Sequence, residues 1–436
     1  MGDSGHNIGV NWYNGDSSQV PNAKIGEIML LDSTMREGEQ SPGTTFSLRQ
    51  RLQLAWMLDY VGVDGIEISP IVSRDHEDSC RKIMKAGLNA TIVIHIRSLR
   101  QDVDVALGCD PTWIAMYHSV SDIHLEHKLR ISRETALERA VDVVEYAKSH
   151  GLKIRFTMED ASRADPAFLQ KMCKAVAKAG VDRISIPDTL GVLRPNGMYN
   201  LIKNVRESVE TPLDLHCHND LGLALANSLA GIEAGASQIH VTVDGLGERV
   251  GITSIAEVVI ALNILYGLRL NIKQEMLKEL SDVVSNYTGV RTPVNMPIVG
   301  ENAYKHKAGT HIAAMIRNSS AYELIPPKSV GNKRRIIFGE LSGKNGAAYL
   351  LKVLGLNPSL EDSINLAQGL KSLHKGDLFE LVMTDELESK AVRVDEEINK
   401  VKREDEYTSL EQGKGGEKIE RMGYKEKFRG RRKGGE

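Results

Sequence analysis

Short, continuous apolar runs rich in β-branched residues alternate with segments of helical spacing through most of the chain. The runs predict strands at EIMLLD (27–32), VDGIEIS (63–69), NATIVIHI (89–96), TWIAMYH (112–118), LKIRFTME (152–159), DRISIPD (182–188), LDLHCH (213–218) and QIHVTVD (238–244). Strands covered on both faces read this way, whereas half-buried ones alternate apolar and polar positions. Between them, residues 48–62, 135–151, 166–180 and 222–236 carry the 3.6-residue period. Several of these segments stop at Gly, which adopts the left-handed cap conformation at little cost. Eight such units predict a parallel α/β fold closed into a (β/α)₈ TIM barrel. An open, doubly wound sheet is the runner-up, but it would more often carry a Gly-rich phosphate loop after its first strand, and DSTMREGEQSPGT is not one.

The same pattern divides the chain into an N-terminal extension (1–25), the barrel (26–270), a Pro-bearing linker subdomain (271–345) and a small, mainly helical subdomain (346–400). The last stretch (401–436) is charged, Gly-rich and poor in apolar residues, so a disordered tail is expected there.

Polar residues cluster where strands end: Asp32, Ser69, His95, His118, Glu159, Asp188, His216, His218 and Asp244. Barrels of this kind build their sites at the C-terminal ends of the strands, so these termini predict a site. Within that set, His216-Cys217-His218 is the sharpest signal. Side chains two apart on a strand share a face, so both imidazoles point inward and Cys217 points away. Two histidines on a rigid strand suit a metal ion; two structural, carboxylate-bonded histidines are the plainer alternative. A carboxylate from Arg36-Glu37-Gly38-Glu39-Gln40, just after strand one, would complete an N₂O set. Such a set leaves positions open for water and substrate and suits Mg²⁺, Mn²⁺ or Zn²⁺ as a Lewis acid.

Composition narrows the partners. Lys+Arg total 55 against Asp+Glu 58, a formal charge of -3, and aromatic residues make up 5%. Neither a basic field nor a base-stacking platform is present, which argues against nucleic acid. No apolar run approaches the roughly 20 residues that span a bilayer, so no membrane partner is expected. The first residues carry neither a signal-peptide core nor a transit composition, and four cysteines without C-x-x-C spacing read as reduced thiols; a cytoplasmic protein is expected.

Three segments carry a resemblance. LLDSTMREGEQSPG (30–43), LHCHNDLGLALAN (215–227) and DGLGERVGIT (244–253), in this order, resemble the homocitrate, 2-isopropylmalate and citramalate synthases of a metallolyase superfamily. The resemblance spans about residues 25–345. It implies that Glu37, His216 and His218 are metal ligands, and that Arg36 contacts the oxygen of a bound 2-oxoacid. In that family acetyl-CoA, the co-substrate, loses a methyl proton and attacks the ketone. Thr189, in IPDTLG, resembles the hydroxyl that holds the substrate carboxylate, and Arg155 and Thr157, in RFTMED, fall at further substrate-binding positions. Glu159 resembles the carboxylate that moves the proton; an Arg155–Glu159 structural ion pair is the alternative. YKHKAGTHIAAMI and AYELIPPKSVGNKRR match the family's His-Tyr pair at His311 and Tyr322, which implies catalysis shared between the subunits of a homodimer. GLGERVG (245–251) resembles the acetyl-CoA edge of the site.

Three details lean toward homocitrate synthase, and so toward 2-oxoglutarate and lysine biosynthesis through 2-aminoadipate. They are His95 in VIHIRS, ISPIVS after strand two, and ERVGIT. MYHSVSDIHLEHKLRISRETAL and NKRRIIFGELSGK instead resemble relatives that include citramalate and isopropylmalate enzymes, which stay as alternatives. An acyl-CoA lyase of the same superfamily would normally carry a Cys-bearing Gly-rich loop late in the barrel, and none is seen. A non-catalytic binding barrel would be expected to lack some of these groups.

Overall fold

Eight parallel strands close into a barrel in sequence order, with the first strand pairing the eighth. They are β1 (Met29–Asp32), β2 (Gly65–Ile68), β3 (Thr91–Arg97), β4 (Trp113–Ser119), β5 (Lys153–Glu159), β6 (Arg183–Asp188), β7 (Leu213–Cys217) and β8 (Gln238–Val241). The computed structural model describes residues 28–339, 342–372, 379–384, 386–390 and 393. The expected 1–25 extension and the 401–436 tail lie outside the described residues.

The principal helices that follow the strands begin and end where local chemistry dictates. Leu48–Val61 starts at Ser47, which forms a capping box with Gln50, and stops at Gly62 at φ 103°. Pro166–Ala179 starts at Asp165, whose side chain accepts from Phe168 N–H, with Pro at the first helical position, and stops at Gly180. Outward strand residues such as Ile94, Phe156, Ile184 and Leu215 pack with helix residues such as Leu58, Val144 and Val176 in one large core. Inside the barrel, Leu31, Val93 and Ala115 form a small apolar plug.

Two compact units divide the described residues: 28–305 with 323–334, and 306–322 with those from 335 onward. The second unit contains helices Gly309–Arg317, Lys344–Val353 and Leu360–Lys371. It also holds an antiparallel strand pair, Arg335–Phe338 with Phe379–Val382, which the sequence reading had not anticipated. Its own apolar cluster includes Ile312, Ile336, Phe338, Leu350 and Val353. No helix among the described residues is long and apolar enough to cross a membrane.

The ring of polar strand ends is corrected in part. Ser69, His95, Glu159, His216 and His218 line one cavity, but Asp32, His118, Asp188 and Asp244 do not. Strand alternation explains the split, because Asp32, His118 and Asp188 stand one residue out of phase with the inward positions. Asp32 and Asp188 brace loops instead. Asp32 accepts from Thr34 N–H at 2.9 Å, and Asp188 accepts from the N–H groups of Val192 and Leu193 at 3.1 and 3.0 Å. Asp244 lies in a turn beyond β8 and accepts from Ser281 and Thr292, each at 2.7 Å.

Candidate active site

The loop after β1 is folded by its own backbone. Ser33 C=O accepts from the N–H groups of Arg36, Glu37 and Gly38, and Thr34 Oγ1 accepts from Val243 N–H at 2.9 Å. This turn aims Arg36 and Glu37 over the barrel mouth. Donor atoms of Glu37, His216 and His218 then lie within 4.8 Å of one another, all three residues buried. Two nitrogens and one carboxylate oxygen at that spacing suit a divalent ion, and the buried His218 Nδ1 has no hydrogen-bond partner, as a ligand atom awaiting a cation would. Glu39, the other carboxylate of the loop, is turned away. It pairs with Arg51 at 2.7 Å and accepts from Phe46 N–H at 2.9 Å.

The loop after β8 closes over Glu37. Glu248 N–H donates to Glu37 Oε1 at 3.0 Å. Close approach requires glycine here: a Cβ on Gly247 would stand 2.9 Å from Glu37 Oε1, and one on Gly251 (φ +84°) would stand 1.7 Å from Gly245 O.

The cavity, about 580 Å³, is lined by Arg36, Glu37, His95, Arg155, Thr157, Glu159, Thr189, His216 and His218, so nine of the sequence-predicted site residues meet there. Its size falls within the range of about 300–1,000 Å³ usual for small-ligand sites. The other two, His311 and Tyr322, belong to the second unit, where their exposed rings stack with centroids 4.1 Å apart.

Arg155 does not pair with Glu159. It pairs with Glu67, a wholly buried residue of β2. Glu67 also accepts from Arg36 Nε at 2.6 Å and from the Ser33 hydroxyl. Burial alone would raise the Glu67 pKa, but Arg155 and Arg36 hold it well below the usual carboxylate range. Arg36 in turn stays charged despite burial, through Glu67 and Glu37. Glu159 is held elsewhere: Lys128 Nζ reaches its two oxygens at 2.6 and 2.7 Å, and the Ser119 hydroxyl donates to it.

Several groups kept uncharged face this network. Burial, then the charge of Arg36, holds the His95 pKa well below its ordinary value, and its ring stacks on Tyr117 with centroids 5.3 Å apart. His216 is lowered likewise by burial and by His218. Thr157 Oγ1 and Ser185 Oγ, on residues paired across β5 and β6, are buried without hydrogen-bond partners and line the cavity. Thr189 Oγ1 already accepts from Asp160 N–H at 3.0 Å, and its C=O accepts from Arg249 at 2.7 Å. Arg97 faces away and pairs with Asp102 at 2.7 Å.

Sequence reasoning missed Glu67, His240, Asp214 and Ser185. For Glu67, His240 and Asp214 the available signal was an ionisable residue inside an apolar strand, since a buried charge must be partnered; Ser185 offered only its inward phase on β6.

Comparison with known proteins places this arrangement. Residues 27–284 match the HMGL-like family, and residues 298–377 match a family described as homocitrate synthase post-HMGL domain-like. The chain is 43% identical over 348 residues to homocitrate synthase AksA of Methanopyrus kandleri, covering 80% of this chain and 88% of that protein. It is 44% identical to a probable 2-isopropylmalate synthase of Ignicoccus hospitalis, covering 86% and 94%, and 43% identical to (R)-citramalate synthase CimA of Methanocaldococcus jannaschii, covering 80% and 71%. Among solved structures, the HMG-CoA lyases of Bacillus subtilis (TM-score 0.57, 18% identity, 61% of this chain and 95% of that one) and Pseudomonas aeruginosa (0.56, 22%, 62% and 95%) share the barrel fold. The chain therefore belongs to the HMGL-like family and is an enzyme, akin to the acyltransferases named homocitrate, 2-isopropylmalate and citramalate synthase.

Proposed function

We propose that the enzyme condenses acetyl-CoA with 2-oxoglutarate to give homocitrate and CoA. The observation that carries the chemistry is the convergence of Glu37, His216 and His218 beside Arg36 in one cavity. The choice of oxoacid is supported by the homocitrate synthase-like match over 298–377 and by His95 in the cavity wall.

Glu37, His216 and His218 would hold a divalent ion (Mg²⁺, Mn²⁺ or Zn²⁺), which when bound supplies Lewis-acid charge to the ketone. Arg36 presents its guanidinium to the ketone oxygen, where negative charge grows in the transition state. Thr157, Ser185 and Thr189 offer hydroxyls to the carboxylate beside the ketone. Glu159 handles the proton: acetyl-CoA gives up a methyl proton, the new carbon–carbon bond forms at the ketone carbon, and the ketone electron pair ends as a protonated hydroxyl. Hydrolysis of the thioester then releases CoA. His311 and Tyr322 act as a unit lent to the partner subunit of a homodimer, the imidazole serving to activate water. The four buried, unpaired cysteines agree with a cytoplasmic enzyme.

A second reading, 2-isopropylmalate synthesis, is favoured by Met35, Ile71 and Val72 in the same cavity wall and by the uncharged state of His95. Steady-state kinetics of wild type and His95→Leu across 2-oxoglutarate, 2-oxoisovalerate and pyruvate separates the two. The homocitrate reading expects turnover of 2-oxoglutarate and a loss of about tenfold or more confined to it, the scale of one hydrogen bond to a charged group. Turnover of 2-oxoisovalerate or pyruvate alone, or equal loss with every oxoacid, contradicts it.

A further inference from the structure

Beneath the cavity mouth two imidazoles face each other. His240 Nδ1 lies 3.3 Å from His216 Nδ1, and both residues are buried. The strands set this up: β7 and β8 pair Asp214 with Gln238, so the residues two further along, His216 and His240, stand side by side facing inward. A nitrogen–nitrogen contact takes one proton, so one ring donates and the other accepts.

His240 Nε2 sits between opposed neighbours. Arg155 Nη1, which can only donate, is 3.2 Å away, and Asp214 Oδ2, which as a carboxylate can only accept, is 3.5 Å away. Arg183 holds the other Asp214 oxygen at 2.7 Å, while Oδ2 is buried without a hydrogen-bond partner and is free to accept from His240.

With one proton on each ring, two arrangements exist. In the first, His240 Nε2 accepts from Arg155, His240 Nδ1–H donates to His216, and the His216 proton sits on Nε2. In the second, His240 Nε2–H points to Asp214, and His216 Nδ1–H donates to His240 Nδ1. Both hold two protons, so exchanging them changes no net charge. Only the second leaves a lone pair on His216 Nε2, the nitrogen that faces Glu37 Oε2 at 3.9 Å.

We propose that Asp214 and His240 are positioning residues that hold His216 in its Nδ1-protonated form, leaving Nε2 open to a divalent cation shared with Glu37 and His218. Arg155 pulls the same His240 nitrogen the other way. This rests on the reading that the three residues hold a metal. Partners of this kind fix the orientation and tautomer of a ligating histidine, and losing one typically weakens metal binding about 10–100-fold.

The test is Mn²⁺ titration of the full-length protein, by calorimetry and by loss of the free-ion electron paramagnetic resonance signal. Asp214→Asn places an amide donor against His240 Nε2 and forces the first arrangement, the wrong-tautomer effect of an Asp-to-Asn change behind a histidine. His240→Leu removes the acceptor, and His240→Asn returns one through its amide oxygen. Expected is a drop of about 10–100-fold for Asp214→Asn and His240→Leu, with His240→Asn back to within about threefold of wild type. In ¹⁵N-histidine-labelled, metal-free protein, His216 should show its proton on Nδ1 in wild type and on Nε2 in Asp214→Asn. If wild type binds no Mn²⁺, the metal reading itself fails. If wild type binds while the first two variants bind equally well, or if His240→Asn is as weak as His240→Leu, the tautomer proposal is overturned. Unaltered binding in Asp214→Asn alone removes Asp214 from it.

Discussion

Replacing Glu67 by Gln keeps the side chain's shape and one acceptor oxygen but removes the charge that two guanidinium groups share. Glu67 is wholly buried, and it is the one ion-pair partner of Arg155 among the described residues. Stripping one partner from a buried pair costs about 3–5 kcal/mol, because the other charge is left without compensation. Arg36 retains Glu37 at 2.5 Å, so the lower end, about 3 kcal/mol, is expected here. At roughly 2–4 °C per kcal/mol for a large domain, the barrel should melt roughly 6–12 °C lower. Arg36 would also lean harder on Glu37 and weaken its hold on a metal. The pH dependence has a definite sign. The folded Glu67 pKa lies well below 4.5, so its contribution is complete above that value and disappears only as pH falls through the depressed folded value. Tryptophan fluorescence melts read the barrel through Trp56 and Trp113, with wild type and Glu67→Gln compared between pH 8 and pH 4. A difference within about 0.5 kcal/mol at neutral pH, the level of an indifferent surface change, would refute the reasoning. So would a gap that widened on acidification.

Burial lowers the pKa of His240 to about 4 from 6.5, and lowers His95 and His216 as well. The folded barrel therefore resists their protonation: the stability this represents is complete above pH 6.5 and is lost as pH falls toward 4, about 3 kcal/mol for His240. His240→Phe should flatten the melting-temperature slope of the metal-free protein over that window, and an unchanged slope contradicts the assignment. Gly251→Ala should displace the loop from Glu37, with strain of about 1–3 kcal/mol and weakened metal binding; wild-type affinity would show that the loop does not position Glu37. Mixing inactive Glu37→Ala with inactive His311→Ala protein should restore up to about a quarter of wild-type activity if catalysis crosses a two-fold dimer. No recovery despite demonstrated subunit exchange counts against the shared site.

The barrel was legible because both of its periodicities are strong. All eight strands appear where the apolar runs fall, and the inward phase of His216 and His218 follows from alternation alone. Alternation could equally have removed Asp32, His118 and Asp188 from the site, had strand phase been applied to every strand end. The choice between Glu37 and Glu39 was open to the residues themselves and was narrowed only by family resemblance. Three-dimensional pairing separates the two carboxylates, since the Phe46 N–H and the Arg51 guanidinium of the following helix claim Glu39. Glu67, Asp214 and His240 escaped because they sit inside strands rather than at their ends, and their partners come from other strands. The strand pair 335–338 and 379–382 escaped for a related reason: four residues each, separated by two helices, leave no local signal of their pairing.

On the proposed function, Glu37, His216 and His218 hold a metal on which a 2-oxoacid meets acetyl-CoA. Release of CoA thiol from acetyl-CoA, with each 2-oxoacid in turn, tests it most directly when run before chelation, after chelation, and after a divalent ion is returned. Oxoacid-dependent release that stops with chelator, returns with the ion and is absent in Glu37→Ala is the predicted result. Release that persists after complete metal removal, or that survives in Glu37→Ala, would contradict the account.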